Sequence, residues 1–263
     1  MSLVFAGIVP HPPLLIPNVG RQAGLKAKKT KQALEKLEED LYVSKPELIL
    51  IISPHGDVFP DSFNINIAHE YQTDLKDFGD LTTNKKYKGD MGFAGRIQSE
   101  CEQKKIPLNI VHEKKLDYGA SIPLYFLTKH LFDIPIIPIG YSELDFKIHQ
   151  KFGNVLKKEI NKTNKRIAVI ASGDLSHALT SESPAGFAPE GQEFDDKIQE
   201  LLKEKSLSGM LQLEPEFIKK SSECGFKSLL ILLSILQNVN AVYKQYSYEA
   251  PFGVGYLVAN FDF

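Results

Sequence analysis

Short, almost wholly apolar runs rich in Val, Ile and Leu recur at residues 3–9, 47–53, 134–139 and 166–171, each bounded by Pro, Gly or Ser. A strand of that composition has no polar face to give to water, so both of its sides must be covered. Between the runs lie helix-length segments. Residues 22–42 place Ala33, Leu34, Leu37 and Leu41 on one stripe of a long amphipathic helix, and similar patterns occupy roughly 92–104, 122–131, 143–161, 191–204 and 223–237. Strands alternating with helices predict an α/β fold: a mostly parallel central sheet flanked by helices on both faces, as one domain over residues 1–263. A chain of 263 residues is within reach of a single core. FNINIAH (63–69) and GYLVANFDF (255–263) alternate more and are expected as antiparallel or edge strands. Two segments read as loops long enough to serve a site, 71–92 and the Pro/Gly-rich 180–191.

The formal charge of -2 carries no basic excess of the kind a polyphosphate or anionic lipid surface needs, so neither nucleic acid nor membrane is an expected partner. The longest apolar stretch, Leu229 to Leu236, is far short of a bilayer span. Two cysteines, Cys101 and Cys224, match no zinc-ribbon or disulfide-framework spacing, which points to a reducing cytoplasm. No G-x-S-x-G elbow, P-loop or H-E-x-x-H is present.

Three histidines follow apolar runs directly: His11 in LVFAGIVPHPP, His55 in ELILIISPHGD and His177 in RIAVIASGDLSH. In open α/β sheets the carboxyl ends of the strands border the ligand crevice, so imidazoles arriving there from distant parts of the chain can converge. His11 and His55 each follow a proline, which fixes its own φ and biases the preceding residue toward extended geometry, stiffening the strand exit. Taken singly, each is equally a hydrogen-bonded histidine at a strand end. His69 and His112 also end strand-like runs, without the Pro or Gly context. In S-G-D-L-S-H, Gly173 permits a tight turn and Asp174 or Ser176 could fix the tautomer of His177, as an acid/base imidazole requires. Glu223 follows Ser221 and Ser222, which can cap the apolar helix behind it. Its carboxylate would be costly to bury unless a metal neutralises it. Cys224 is either a soft alternative ligand or a small buried residue.

In order along the chain, G-I-V-P-H, S-P-H-G-D, L-D-Y-G-A-S-I-P-L (116–124), S-G-D-L-S-H-A-L and S-E-C-G resemble the catalytic subunits of class III extradiol ring-cleavage dioxygenases, the protocatechuate 4,5-dioxygenase type. ECGFKSLLIL and YEAPFGVGY resemble most closely the dioxygenase-like domain of AmmeMemoRadiSam system proteins. The resemblance implies Fe(II), with zinc or copper as other metals, held by His11, His55 and Glu223, and an acid/base role for His177. It implies a catechol-like aromatic substrate and O2. Tyr118, Asp174, Asp57 and Glu249 are the expected pocket or ligand-orienting positions, Glu249 being either that or the partner of a surface lysine.

Two departures accompany it. Active dioxygenases carry a pocket histidine where this chain has Tyr118, a phenol that can donate a hydrogen bond but does not shuttle protons near neutral pH. Memo proteins, which resemble this family in architecture without cleaving rings, place a cysteine ligand at a C-G motif corresponding to Cys224-Gly225. The expectations are therefore an iron dioxygenase or, as the alternative, a Memo-like metal protein linked to a radical-SAM partner. Whether the chain forms a homo-oligomer stays open.

Overall fold

The computed structural model describes residues 2–263. Its strands are β1 (Leu3–Val9), β2 (Leu48–Ser53), β3 (Phe63–Asn66), β4 (Glu70–Thr73), β5 (Lys86–Lys88), β6 (Leu108–Val111), β7 (Lys115–Leu116), β8 (Ile136–Gly140), β9 (Ile167–Ser172), β10 (Val242–Glu249) and β11 (Tyr256–Asp262). The helices are α1 (Pro17–Gly20), α2 (Lys28–Val43), α3 (Met91–Lys104), α4 (Tyr118–Leu127), α5 (Phe146–Lys162), α6 (Pro189–Lys203), α7 (Leu207–Leu211), α8 (Pro215–Ser221) and α9 (Phe226–Leu236).

An eight-stranded sheet runs in the order β10-β11-β1-β9-β2-β8-β3-β6. The four apolar runs form its centre, β1, β9, β2 and β8, all mutually parallel. β11 and β3 pair antiparallel to that block, and β3 is also parallel to β6. Both faces are covered. Phe93, Phe152, Phe194 and the apolar side of α9 pack on one, and Leu34, Leu37, Leu41, Ile122 and Leu127 of α2 and α4 on the other. The central strands are thus buried on both faces, which is why they carry no polar alternation.

Register places the site. Val9 pairs with Ser172 and Ile52 with Ala171, so β1, β9 and β2 end nearly level as neighbours. His11, Asp174 and His55 each lie two residues past those ends. The first turn of α4 approaches this edge from one face of the sheet and the loop before α9 from the other.

Several elements differ from the sequence reading. The segment 71–92 is not a plain loop: β4 and β5 lie within or beside it and join β7 in a three-stranded sheet. The buried Tyr71, Thr73 and Tyr87 hold it down, a signal masked by intervening Lys and Asp residues. β6 and β10 are edge strands; β6 is the strand-like run that His112 ends, whereas β10 has exposed polar positions and no apolar run to mark it. α4 starts four residues earlier than the pattern indicated, because Asp117 caps it by accepting the Ala120 N–H at 3.0 Å, and Pro123 sits inside the helix.

Candidate metal centre

His11 is fixed from both ends. Its backbone N–H donates to Asp174 Oδ1 at 2.9 Å, and its ring Nδ1 lies 2.8 Å from Ser172 Oγ. Ser172 Oγ donates its own hydrogen to the Gly119 carbonyl at 2.5 Å, so it accepts from the His11 Nδ1–H, leaving the Nε2 lone pair directed into the site. His55 brings its Nε2 to 2.9 Å from His11 Nε2, the rings meeting edge to face. Cys224 Sγ stands 3.5 Å from the same nitrogen. His11, His55 and Cys224 offer donor atoms all within 4.8 Å of one another.

Cys224 reaches this place through a backbone clasp. The N–H groups of Cys224 and Gly225 both donate to the Asp174 carbonyl, at 3.3 and 3.0 Å, and the Asp174 N–H points back at Cys224 Sγ at 3.3 Å. Two glycines make the approach feasible: a Cβ on Gly173 would lie 2.1 Å from the Gly225 Cα. The role of Gly173 is this close approach, with no positive φ, rather than the tight turn the sequence suggested. Gly119 serves likewise at the start of α4, where a Cβ would meet Ser53 Oγ at 2.5 Å and His55 Cδ2 at 3.2 Å.

Asp174, His177 and Cys224 form a second group whose donor atoms also lie within 4.8 Å, sharing the thiol with the first. His177 is half-buried, and its Nδ1 is enclosed without a hydrogen-bond partner. Neither expected orienting bond forms. Ser176 Oγ donates instead to the Ser221 carbonyl, and the Asp174 carboxylate is taken by His11. Tyr118 stacks on His55 at 4.2 Å between centroids and 20° between planes, and Phe78 packs edge-on against Tyr118 at 5.2 Å. Asp57 is exposed on a cavity wall and its carbonyl accepts from Asn64 Nδ2.

Glu223 is not gathered with the imidazoles. It precedes α9 rather than lying in its first turn, and its Oε2 accepts the Phe226 N–H at 2.5 Å, supplying the cap that the sequence assigned to Ser221 and Ser222. Those serines end α8 instead. Glu249 neither faces the site nor pairs with a lysine. It accepts from the Thr30 N–H and Oγ1 at 2.7 and 2.6 Å, holding the first turn of α2 from the end of β10, on which α2 packs. Ser172, Ser53 and Asp117 were missed by the sequence reading. The visible signal was a serine closing both IIS-PH and VIAS-GD at matching distances from the histidine or aspartate.

Burial, reinforced by neighbouring imidazoles, pushes His11 and His55 down to about 3, so both are neutral at pH 7. Burial raises Asp174 to about 6 and Glu223 to about 7. It raises the Cys224 thiol as well, helped by Asp174 and Glu223. Two neutral nitrogens with nothing cationic between them, beside a thiol that a positive charge would help to ionise, form a donor set that fits a soft-to-borderline divalent metal. A cavity of about 540 Å³ opens against His55 and Tyr118.

The fold is an α/β sheet with a His/His/Cys cluster beyond the carboxyl ends of its parallel strands, and the family is given by the sequence. The chain belongs to the family of the catalytic LigB subunit of aromatic ring-opening dioxygenase, whose model matches residues 6–259. It is 31% identical over 272 residues to Protein CA_C1420 of Clostridium acetobutylicum, covering 100% of this chain and 58% of that protein. It is 28% identical over 182 residues to a 4,5-DOPA dioxygenase extradiol of Beta vulgaris, covering 67% of this chain and 66% of the relative. The chain thus spans less than two thirds of each of these relatives. The crystal structure of uncharacterized protein JW3007 from Escherichia coli K12 shares the fold, with a TM-score of 0.69 and 17% identity over 98% of this chain and 99% of that one. Among the described residues no helix is long and apolar enough to cross a membrane.

Proposed function

We propose that this chain is a non-haem Fe(II)-dependent dioxygenase that opens the ring of a catechol-like aromatic with O2. The observation that carries this reading is the meeting of His11 Nε2 and His55 Nε2 at 2.9 Å, with His177 beside them. His11 and His55 would hold the metal, and the third donor comes from the adjacent pair Glu223 and Cys224. The geometry favours Cys224, since Glu223 would have to release the cap of α9. Such an ion, when bound, brings diol and O2 together and supplies the redox chemistry.

The chain's own residues do the remainder. Ser172 keeps the His11 proton on Nδ1 and so keeps Nε2 available. His177, whose ring has no competing partner, takes a proton from a ring hydroxyl and returns one as the ring opens. Tyr118 walls the site beside His55. Burial pushes its phenol further up from its ordinary range, so it acts as a hydrogen-bond donor only. The relative named as a 4,5-DOPA dioxygenase extradiol supports this chemistry.

One alternative has its own observation. Cys224 in the donor set and Tyr118 in place of a pocket imidazole favour a Memo-like protein that binds metal without oxygenase activity. The experiment is metal content after anaerobic purification, followed by O2 uptake with catechol. The dioxygenase reading expects near-stoichiometric iron, uptake, a His177→Ala variant that retains iron but is slowed by about a hundredfold or more, and a His11→Ala variant that loses iron. Loss of iron in Cys224→Ser but not in Glu223→Gln assigns the third donor. Bound metal with no uptake on any vicinal diol gives the alternative, and no metal after loading rejects both.

A further inference from the structure

The cavity beside His55 and Tyr118 is larger than a catechol ring needs, and its lining has a sign. At about 540 Å³ it is in the size range of pockets that enclose a substituted, drug-sized ligand. Five carboxyl groups, Asp57, Asp74, Asp77, Glu113 and Asp117, line it against two ammonium groups, Lys76 and Lys115. Lys115 and Asp74 pair at 3.1 Å, and Asp117 is raised by burial with its Oδ1 held by Ser53 and Ala120, so Asp57, Asp77 and Glu113 face Lys76. The buried amides Asn64 and Asn66 each commit one Nδ2 hydrogen within the protein. Asn66 Nδ2 donates to the Glu113 carbonyl at 2.8 Å, Asn66 Oδ1 accepts from the Ala68 and Glu113 N–H groups, and Asn64 Nδ2 is spent on the Asp57 carbonyl. Phe78 and Tyr118 add aromatic surface at the mouth, which a cation also favours.

From this lining we propose that the substrate of the site carries a cationic arm, an ammonium or similar group on the aromatic ring, which lies in this cavity while the ring faces His55. A carboxylate-bearing aromatic entering the same space would meet a net excess of like charge, with Lys76 the ammonium on the lining that could receive it. The proposal rests on the reading of this cleft as the substrate site, but not on ring cleavage itself.

The test uses the full chain loaded with zinc, which binds ligands without turnover, and two catechols of matched length and opposite charge: dopamine and 3-(3,4-dihydroxyphenyl)propionate. Isothermal titration should show dopamine binding about tenfold tighter or more, a gap that narrows as salt is added. Asp77→Lys combined with Glu113→Lys, both on exposed side chains, should abolish or reverse the preference. Equal or tighter binding of the propionate, a preference untouched by the double variant, or no binding of dopamine at millimolar concentration overturns the proposal. O2 uptake by the iron-loaded protein separates the two claims. Preferred dopamine binding without uptake leaves the charge preference standing and removes the dioxygenase reading, whereas uptake with the propionate preferred does the reverse.

Discussion

Replacing Gly173 by alanine should damage the fold and the metal centre together. The added Cβ would sit 2.1 Å from the Gly225 Cα, 3.1 Å from its nitrogen and 3.3 Å from its carbonyl carbon. Ordinary van der Waals contact begins at 3.4 Å, so one backbone must retreat by more than an ångström. No flexible side chain can absorb that movement, which puts the overpacking cost toward the upper part of the usual range, about 2–3 kcal/mol. With an unfolding entropy of about 2.1 cal/mol/K per residue, that lowers Tm by roughly 4–5 °C for a chain of this size. The same retreat breaks the clasp between Asp174 and residues 224 and 225, drawing Cys224 Sγ away from His11 Nε2. Loss of such a supporting contact typically weakens metal affinity by about 10–100-fold. Calorimetry reads the first effect. Anaerobic Co2+ titration, followed through the thiolate-to-cobalt absorption, reads the second. Gly95→Ala is the control: Gly95 lies on an exposed turn of α3 with nothing within 4 Å of its built Cβ, so alanine should stabilise by about 0.5–1 kcal/mol. If Gly173→Ala melts with the wild type and binds Co2+ with the same affinity and absorption, the clasp is not what holds the thiol.

The fully buried Asp195 accepts from the Ser176 N–H at 2.8 Å and the Tyr248 hydroxyl at 2.6 Å, yet burial still raises it to about 6. A carboxyl whose folded value is raised gives stability that is present at low pH and lost as pH rises through about 6. Asp195→Asn should therefore be more stable than the wild type by on the order of 2 kcal/mol at pH 8 and lose that advantage by pH 4, as read by urea unfolding at both. Glu249→Ala strips the buried Thr30 of its partner for both N–H and hydroxyl. It should cost about 1–3 kcal/mol of stability with metal per chain unchanged; a loss of metal would return Glu249 to the site.

What the sequence made legible follows from what each signal depends on. The four central strands are covered on both faces, so their composition alone announced them, and their neighbouring positions explain why three strand exits could be read as one site. β10 lies at an edge where part of the strand meets water, and its polar residues look like those of a loop. The two imidazoles were visible because Pro-His after an apolar run is a local pattern. The orienting partners were not, because Ser172 acts on His11 across 161 residues and Glu249 on Thr30 across 219. Glu249 illustrates the limit: a carboxylate in an aromatic, Gly-rich segment is indistinguishable, in one dimension, from a site residue.

The choice between Glu223 and Cys224 is a question about backbone more than about side chains. Ser222 ends α8 in the left-handed region at φ 53°, and α9 begins at Phe226, leaving three residues to turn the chain. Within that turn the Asp174 carbonyl receives the N–H groups of Cys224 and Gly225, and this orientation sends the thiol toward His11 while Glu223 faces the start of α9. To exchange the two donors, the turn would have to surrender both hydrogen bonds to Asp174 and the cap on Phe226, at about 1 kcal/mol or more each. A metal could offset that only by binding a carboxylate oxygen more favourably than a thiolate. Hard cations meet this condition and soft ones do not, while borderline Fe(II) accepts either donor. The clasp around Gly173 and Gly225 thus sets the Cys224 thiol, and not the Glu223 carboxylate, beside His11.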